Sequence, residues 1–200
     1  MSDYQISRES LARAVHGDSE ELEKVLRALE PELRAGISIQ PLWSRSLDAD
    51  DVLQVSFMEA FLRITSFTGP SPAGFRAWMR RVVKNNLTDA IRSLECEKRP
   101  DARRRVTHGA GGESARTLFS AVVGDHPTAG ARATAQESVE MLLTAVEQLP
   151  TSYKQVIREV DLAERTVADV AEEMGRSRGA VHLLRSRGHA RLRELLRDLE

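Results

Sequence analysis

Leu22, Val25, Leu26 and Leu29 fall at i, i+3, i+4 and i+7, the spacing of one buried helical stripe. Within residues 8–30, Gly17-Asp18 separates this helix from a shorter one before it. Asp18 is placed to cap the second helix, with Glu21 three residues on as in a capping box, and Pro31 is expected to bound it. The stretch to Pro41-Leu42-Trp43 is less periodic and reads as partly helical. In SLDADDVLQVSFMEAFLRI, Ser46 or Asp48 supplies a cap and acidic residues fill the first turn, where the helix dipole favours them. Leu53, Phe57, Phe61 and Ile64 share its expected buried face. Asp50, Asp51, Gln54 and Met58 fall away from that face, leaving a mixed acidic and apolar surface for something else.

Ser71 before Pro72 predicts the next start, a cap with proline at the first helical position. Phe75, Trp78, Met79, Val82 and Val83 form the stripe, and Arg76, Arg80, Arg81 and Lys84 occupy the rest of the surface. Asn85-Asn86 competes for backbone hydrogen bonds and predicts a break or kink, with a restart through Leu87, Ala90, Ile91 and Leu94. Residues 96–135 lack a sustained period and are rich in Gly, Ala, Ser and Thr, which marks a flexible linker with room for a short helix around Leu118–Val123. Periodicity then returns. Val139, Leu142, Leu143, Val146 and Leu149 share a face that Pro150 ends. Thr151 or Ser152 caps a helix burying Tyr153, Val156, Ile157 and Val160. Thr166 with Asp169 starts a short helix, and Ser177 caps a last one. The pattern predicts an all-α fold of two small helical domains, residues 1–95 and 136–200, joined by the linker 96–135.

Composition supports the class: 41% hydrophobic and 30% charged residues suit a soluble globular chain, and only 4% aromatics lean towards helix. No apolar run reaches the roughly 20 residues of a membrane span, and MSDYQISRES is not built like a signal peptide, so the expected location is cytoplasmic. Cys96 is the single cysteine, which excludes an internal disulfide. His16, His108, His126, His182 and His189 show no metal-ligand spacing, and neither catalytic site nor cofactor is indicated. Charge is uneven beneath a net −1. Residues 1–60 carry 6 basic and 12 acidic side chains, whereas residues 72–106 carry 10 and 4 and residues 165–200 carry 8 and 6. Local positive patches attract a phosphate backbone, although charge alone fits solvated helix faces equally well.

The deciding constellation is TVADVAEEMGRSRGAVHLLRS, residues 166–186. Val170, Ala171, Met174, Gly175, Val181 and Leu184 have the types and spacing of a helix-turn-helix. Ala171 lets the helices cross closely, and Gly175 accepts the backbone of the tight turn. The second helix of such a motif enters the major groove, so its exposed positions, Arg178, His182 and Arg185, with Arg176 and Ser177 at the tip, are candidates for DNA contact. Arg187, Arg191 and Arg193 stay open between DNA contact and a solvated face, as does the run Arg103-Arg104-Arg105.

Taken with DADDVLQVSFMEAFLRI and FRAWMRRVVKNNLTDAIR, this bundle resembles the extracytoplasmic-function branch of the sigma-70 family. The resemblance rests on Asp48 to Gln54, on Phe75 to Met79 and on the leucine-proline pair Leu149-Pro150, and covers residues 8–95 and 137–197. It implies a transcription initiation factor, not an enzyme, that acts with bacterial core RNA polymerase and promoter DNA; an anti-sigma factor is a further candidate partner. By the same resemblance Asp50, Asp51, Leu53, Gln54 and Met58 would dock on the polymerase. Trp78, Arg80, Arg81, Lys84, Asn85 and Asn86 would open the −10 element, and Arg176, Ser177, Arg178, His182 and Arg185 would read the −35 duplex. The linker would thread near nascent RNA. Val55 stands where an acidic residue is common, Gly188 where alanine is usual, and Leu183 where polar residues are frequent, so that it would face a partner. A free-standing helix-turn-helix regulator is the alternative, and a purely protein-binding helical adaptor a third.

Overall fold

Ser7 opens the first helix, α1 (Arg8–Val15), with a reciprocal cap: its hydroxyl accepts from the Ser10 amide and the Ser10 hydroxyl accepts from its own amide, both at 3.0 Å. The computed structural model describes residues 5–68, 71–98, 111–123 and 135–198, and the chain divides into two units, Met1–Arg92 and Ser93–Glu200. Among the described residues regular structure is helical and no strand occurs.

In unit 1, Asp18 caps α2 (Ser19–Ala35) by accepting from the Glu21 amide at 3.0 Å. The Glu21 carboxylate itself is buried and lies 3.5 Å from Arg13 and 3.4 Å from Lys24. Pro31 does not end this helix, contrary to the sequence expectation. Its exposed ring costs one backbone hydrogen bond, but Leu29 and Leu33 carry the buried stripe past it. Burying Leu33 contributes about 1.5–3 kcal/mol, comparable with the penalty of an interior proline. Turns over residues 41–46 bury Trp43, and Leu47 follows it into the core.

Asp48, rather than Ser46, caps α3 (Ala49–Arg63), and a short 3₁₀ turn, Ile64–Ser66, follows. The buried side of α3 is rotated from the expected one. Asp51, Val52, Leu53, Val55, Ser56 and Ala60 face inward, whereas Phe61 and Leu62 are exposed. Position 55 is therefore a core position, which accounts for valine there. The last helix to begin in unit 1, α4 (Pro72–Lys98), starts as expected, with the Ser71 hydroxyl accepting from the Gly74 amide at 3.1 Å. It runs through Asn85-Asn86 without interruption. The expected break is absent because the Asn86 side chain is turned inward, where its amide donates to Ser56 Oγ at 2.9 Å. With a side-chain partner on α3, it does not compete for the backbone of its own helix.

In unit 2, α5 (Gly111–Val123) lies inside the expected linker and buries Ala115, Leu118 and Val122. It packs on α6 (Ala135–Glu147) and on the C-terminal helix, α9 (Arg178–Asp198). Arg103, Arg104, Arg105, His108 and His126 fall outside the described residues. Leu142 and Val146 are buried in α6 as expected, but Leu143 is exposed. The next helix, α7 (Thr151–Val156), starts after Pro150 with no side-chain cap from Thr151 or Ser152. It continues as a π turn, Ile157–Leu162. That widening places Asp161 against α9.

The helix-turn-helix forms as the spacing predicts. Thr166 caps α8 (Val167–Met174), its hydroxyl accepting from the Asp169 amide at 3.2 Å. Gly175 follows at φ 60°, ψ 38°, and the Arg176 amide donates to the Ala171 carbonyl at 2.9 Å, closing a left-handed helix end. Ser177 then caps α9 through the Ala180 amide at 3.2 Å.

Candidate nucleic-acid interface

At 100° per residue, α4 turns Phe75, Met79, Val83, Asn86 and Ala90 inward and Arg81, Lys84, Asn85 and Arg92 outward. Two flanks bound this exposed basic stripe. On one, Trp78 is half-buried against two phenylalanines. Its ring centroid lies 5.5 Å from both Phe67 and Phe75, and those two meet edge to face at 5.7 Å. Phe67 was not anticipated from the sequence, since one aromatic in a loop carries no period. On the other flank Arg80 Nη2 lies 2.7 Å from Glu32, with Arg76 Nε 3.5 Å from the same carboxylate. Of the −10 candidates, Arg80, Arg81, Lys84 and Asn85 are exposed and Trp78 is half-buried. Asn86 is fully buried, so its amide serves the α3–α4 junction.

The candidate docking residues on α3 are likewise divided. Asp50 and Gln54 are exposed and Met58 is half-buried, in line along one side of the helix with Phe61. Asp51 and Leu53 are buried and present no surface. Asp50 is ion-paired with Arg34, which also lies 3.1 Å from Glu30. The hydrogen bond that Arg34 donates to Glu30 is the main cause that raises its pKa above the ordinary value.

On α9, Arg178 is exposed at the tip, and Arg176 and Ser177 are half-buried beside it. His182 is not exposed as expected: it is buried, with Nε2 3.1 Å from Glu97 Oε2. Leu183, expected to face a partner, is fully buried. Both departures have one cause. This helix is packed by α5, α6, α7 and α8, so residues Ala180 to Leu184 are buried all round instead of along one stripe. Arg185 is half-buried and held in a fork: Nε donates to both oxygens of Asp161 at 3.0 and 3.1 Å, and Nη2 to Oδ1 at 2.6 Å. His189 Nε2 meets the other oxygen at 3.0 Å. Burial pushes the Asp161 carboxyl up, but the hydrogen bonds from His189 and Arg185 outweigh it and hold the group below the usual carboxylate range. The sequence did carry a signal for this site. Asp161 stands four residues after Ile157, on the apolar stripe, where a carboxylate needs partners. Further on, Arg193 Nε donates to the Val122 carbonyl at 2.9 Å, and Arg191 is paired with Glu194 at 2.8 Å.

Two features thus stand in one chain, a helix with an exposed basic stripe beside half-buried Trp78 and a helix-turn-helix. Residues 42–95 match the model of sigma-70 region 2, and residues 139–192 match that of sigma-70 region 4. The chain belongs to the sigma-70 family. It is 27% identical over 152 residues to the ECF RNA polymerase sigma factor SigW of Bacillus subtilis (strain 168), spanning 76% of this chain and 77% of that protein. A solved flagellar sigma/anti-sigma complex, Sigma-28/FlgM, aligns with 92% of this chain and 97% of its own at 16% identity, with a TM-score of 0.32, too low to bear on the fold. The protein is a sigma factor of the extracytoplasmic-function type that acts with RNA polymerase in promoter recognition. The free-standing regulator leaves the region 2 match unaccounted for. Sigma factors as a class are not enzymes. No described helix is long and apolar enough to cross a membrane.

Proposed function

We propose that the roles divide between the two units. The exposed side of α3, through Asp50, Gln54 and Met58, docks on core polymerase. Arg81, Lys84 and Asn85, with Arg80 and Trp78 on the flanks, hold the melted −10 strand, while Arg176, Ser177 and Arg178 address the −35 duplex. The carrying observation is the outward row Arg81, Lys84 and Asn85 on an unbroken helix flanked by half-buried Trp78. An unstacked strand needs such a pairing, cations along its backbone and an aromatic surface for a base. Arg185 contributes through the fork that fixes α9. In this reading the chain performs no chemistry of its own, needs no cofactor and works in the cytoplasm.

The test is an R81A/K84A variant assembled with core polymerase. Binding to a −10 fragment with an unpaired strand is expected to weaken, and its salt dependence to become shallower by up to about 0.7 for each phosphate of that strand left without a cation. Assembly with core should be unchanged. Normal DNA binding by that holoenzyme would remove the −10 assignment, and loss of assembly would move α4 to the polymerase interface.

A further inference from the structure

We propose that Glu32 is a built-in counter-charge that sets the sequence-independent part of the DNA affinity of α4. The inference rests on the reading above, that this side of α4 meets DNA. Glu32 stands in the last turn of α2, where no DNA role was expected. Its Oε1 lies 2.7 Å from Arg80 Nη2 and its Oε2 3.5 Å from Arg76 Nε, so one carboxylate bridges two guanidinium groups. Arg76, Arg80 and Lys84 follow one another at i+4 along the flank of the basic stripe. Two acceptor oxygens and a negative charge between two arginines are also what a DNA phosphate would supply.

A phosphate that pairs with Arg76 and Arg80 must displace Glu32 from them. Binding weakens, and by the same factor on every sequence, because phosphates are alike along DNA. The site is solvent-exposed, with the Glu32 and Arg80 side chains 37% and 64% accessible. An exposed pair of this kind is worth about 1.5- to 5-fold in an equilibrium constant. Glu30 provides the control. It is paired at 3.1 Å with Arg34 of its own helix, not with α4.

Holoenzyme assembled from the full chain and core polymerase is titrated with a −10 fragment and with a scrambled fragment across a range of salt. Glu32→Gln should tighten both by about 1.5- to 5-fold, and Glu32→Lys by more, with steeper salt dependence. Glu30→Gln should leave both unchanged. The gain from Glu32→Gln should vanish when Arg76 and Arg80 are both alanine. If that arginine pair matters for binding and Glu32→Gln changes nothing, the counter-charge is refuted while the DNA face stands. If neither the arginines nor Glu32 affects binding, both readings fall. A gain that persists without the two arginines would place the effect of Glu32 elsewhere and overturn the mechanism.

Discussion

Replacing Gly188 with alanine sets two effects of similar size against each other. Gly188 lies inside α9, where alanine in place of glycine favours the helix by about 1 kcal/mol, and burying the new methyl adds about 0.8 kcal/mol. Against this, a Cβ at Gly188 would lie 3.0 Å from Ile157 Cγ1 and 3.1 Å from Cδ1, with Tyr153 Cβ at 3.6 Å. Ordinary carbon contacts are about 3.5–4.0 Å, so two atoms must give way by about half an ångström. Ile157 is fully buried at the start of the π turn and stiff at χ1. Overpacking a site of this kind costs about 1–3 kcal/mol. The expected outcome is therefore no gain, or a loss of about 1 kcal/mol, where an unobstructed helical glycine would have given a clear gain.

Trimming Ile157 to valine removes the Cδ1 contact at 3.1 Å but keeps Cγ1 at 3.0 Å, so it should lessen the penalty of the alanine without abolishing it, a coupling of about 0.5 kcal/mol or more between the two sites. Urea unfolding of the full chain gives the magnitudes. Amide exchange along α9 assigns them to unit 2, since a chain of two units need not unfold in one step. If Gly188→Ala stabilises by the full helix-propensity term, equally with isoleucine or valine at 157, then close approach is not what this glycine serves.

Asn86→Ala should destabilise unit 1 by about 1–3 kcal/mol in urea unfolding, because it removes a buried bond to Ser56. Asn85→Ala, on the exposed side, should leave stability within about 0.5 kcal/mol and alter −10 binding instead. Gly175→Ala meets nothing within 4 Å, so its cost is backbone strain at φ +60°, about 1 kcal/mol by the same assay. Asp161 has its carboxyl pKa lowered in the fold, so its contribution is present above the unfolded value near 4 and is lost as pH falls through the folded one. Exchange protection of α9 should fall with acidification in that window. Asp161→Asn should cost about 2–3 kcal/mol at neutral pH and flatten that part of the profile. Arg178→Ala should weaken use of particular −35 sequences by about 1–3 kcal/mol in competition binding, and equal weakening on all sequences would make it a phosphate contact.

Signals confined to a few neighbouring residues were legible in the sequence. The caps at Asp18, Ser71, Thr166 and Ser177 and the turn at Gly175 each need only one side chain or one backbone conformation within three residues. Which side of a helix is buried was less legible, because that depends on distant neighbours. In α3, apolar residues occur nearly all round the helix, from Val52 to Leu62, so several rotations satisfy the pattern and the packing of α2 decides among them. The same limit hid Asn86. A polar residue beside a second asparagine reads as a helix breaker until Ser56, thirty residues away, is known to accept its hydrogen bond. In α9 the presumption of a single buried stripe failed for His182 and Leu183, since that helix has neighbours on several sides.

A net charge of −1 is unusual company for DNA recognition, and the ion pairs supply a reason. Arg76 and Arg80 share Glu32, Arg185 is forked onto Asp161, and Arg165 bridges Glu159 at 2.9 Å and Glu173 at 2.5 Å beside the helix-turn-helix. A cation already paired gains less from a phosphate, because it gives up one partner to take another. Internal pairing therefore lowers the attraction that all DNA shares, while contacts to base edges, which depend on position, are kept. It also fixes long side chains: the fork at Asp161 holds Arg185 in one geometry and ties α9 to the π turn. Weak general attraction and pre-set geometry suit a factor that must leave most DNA alone and engage where the polymerase presents it with a promoter.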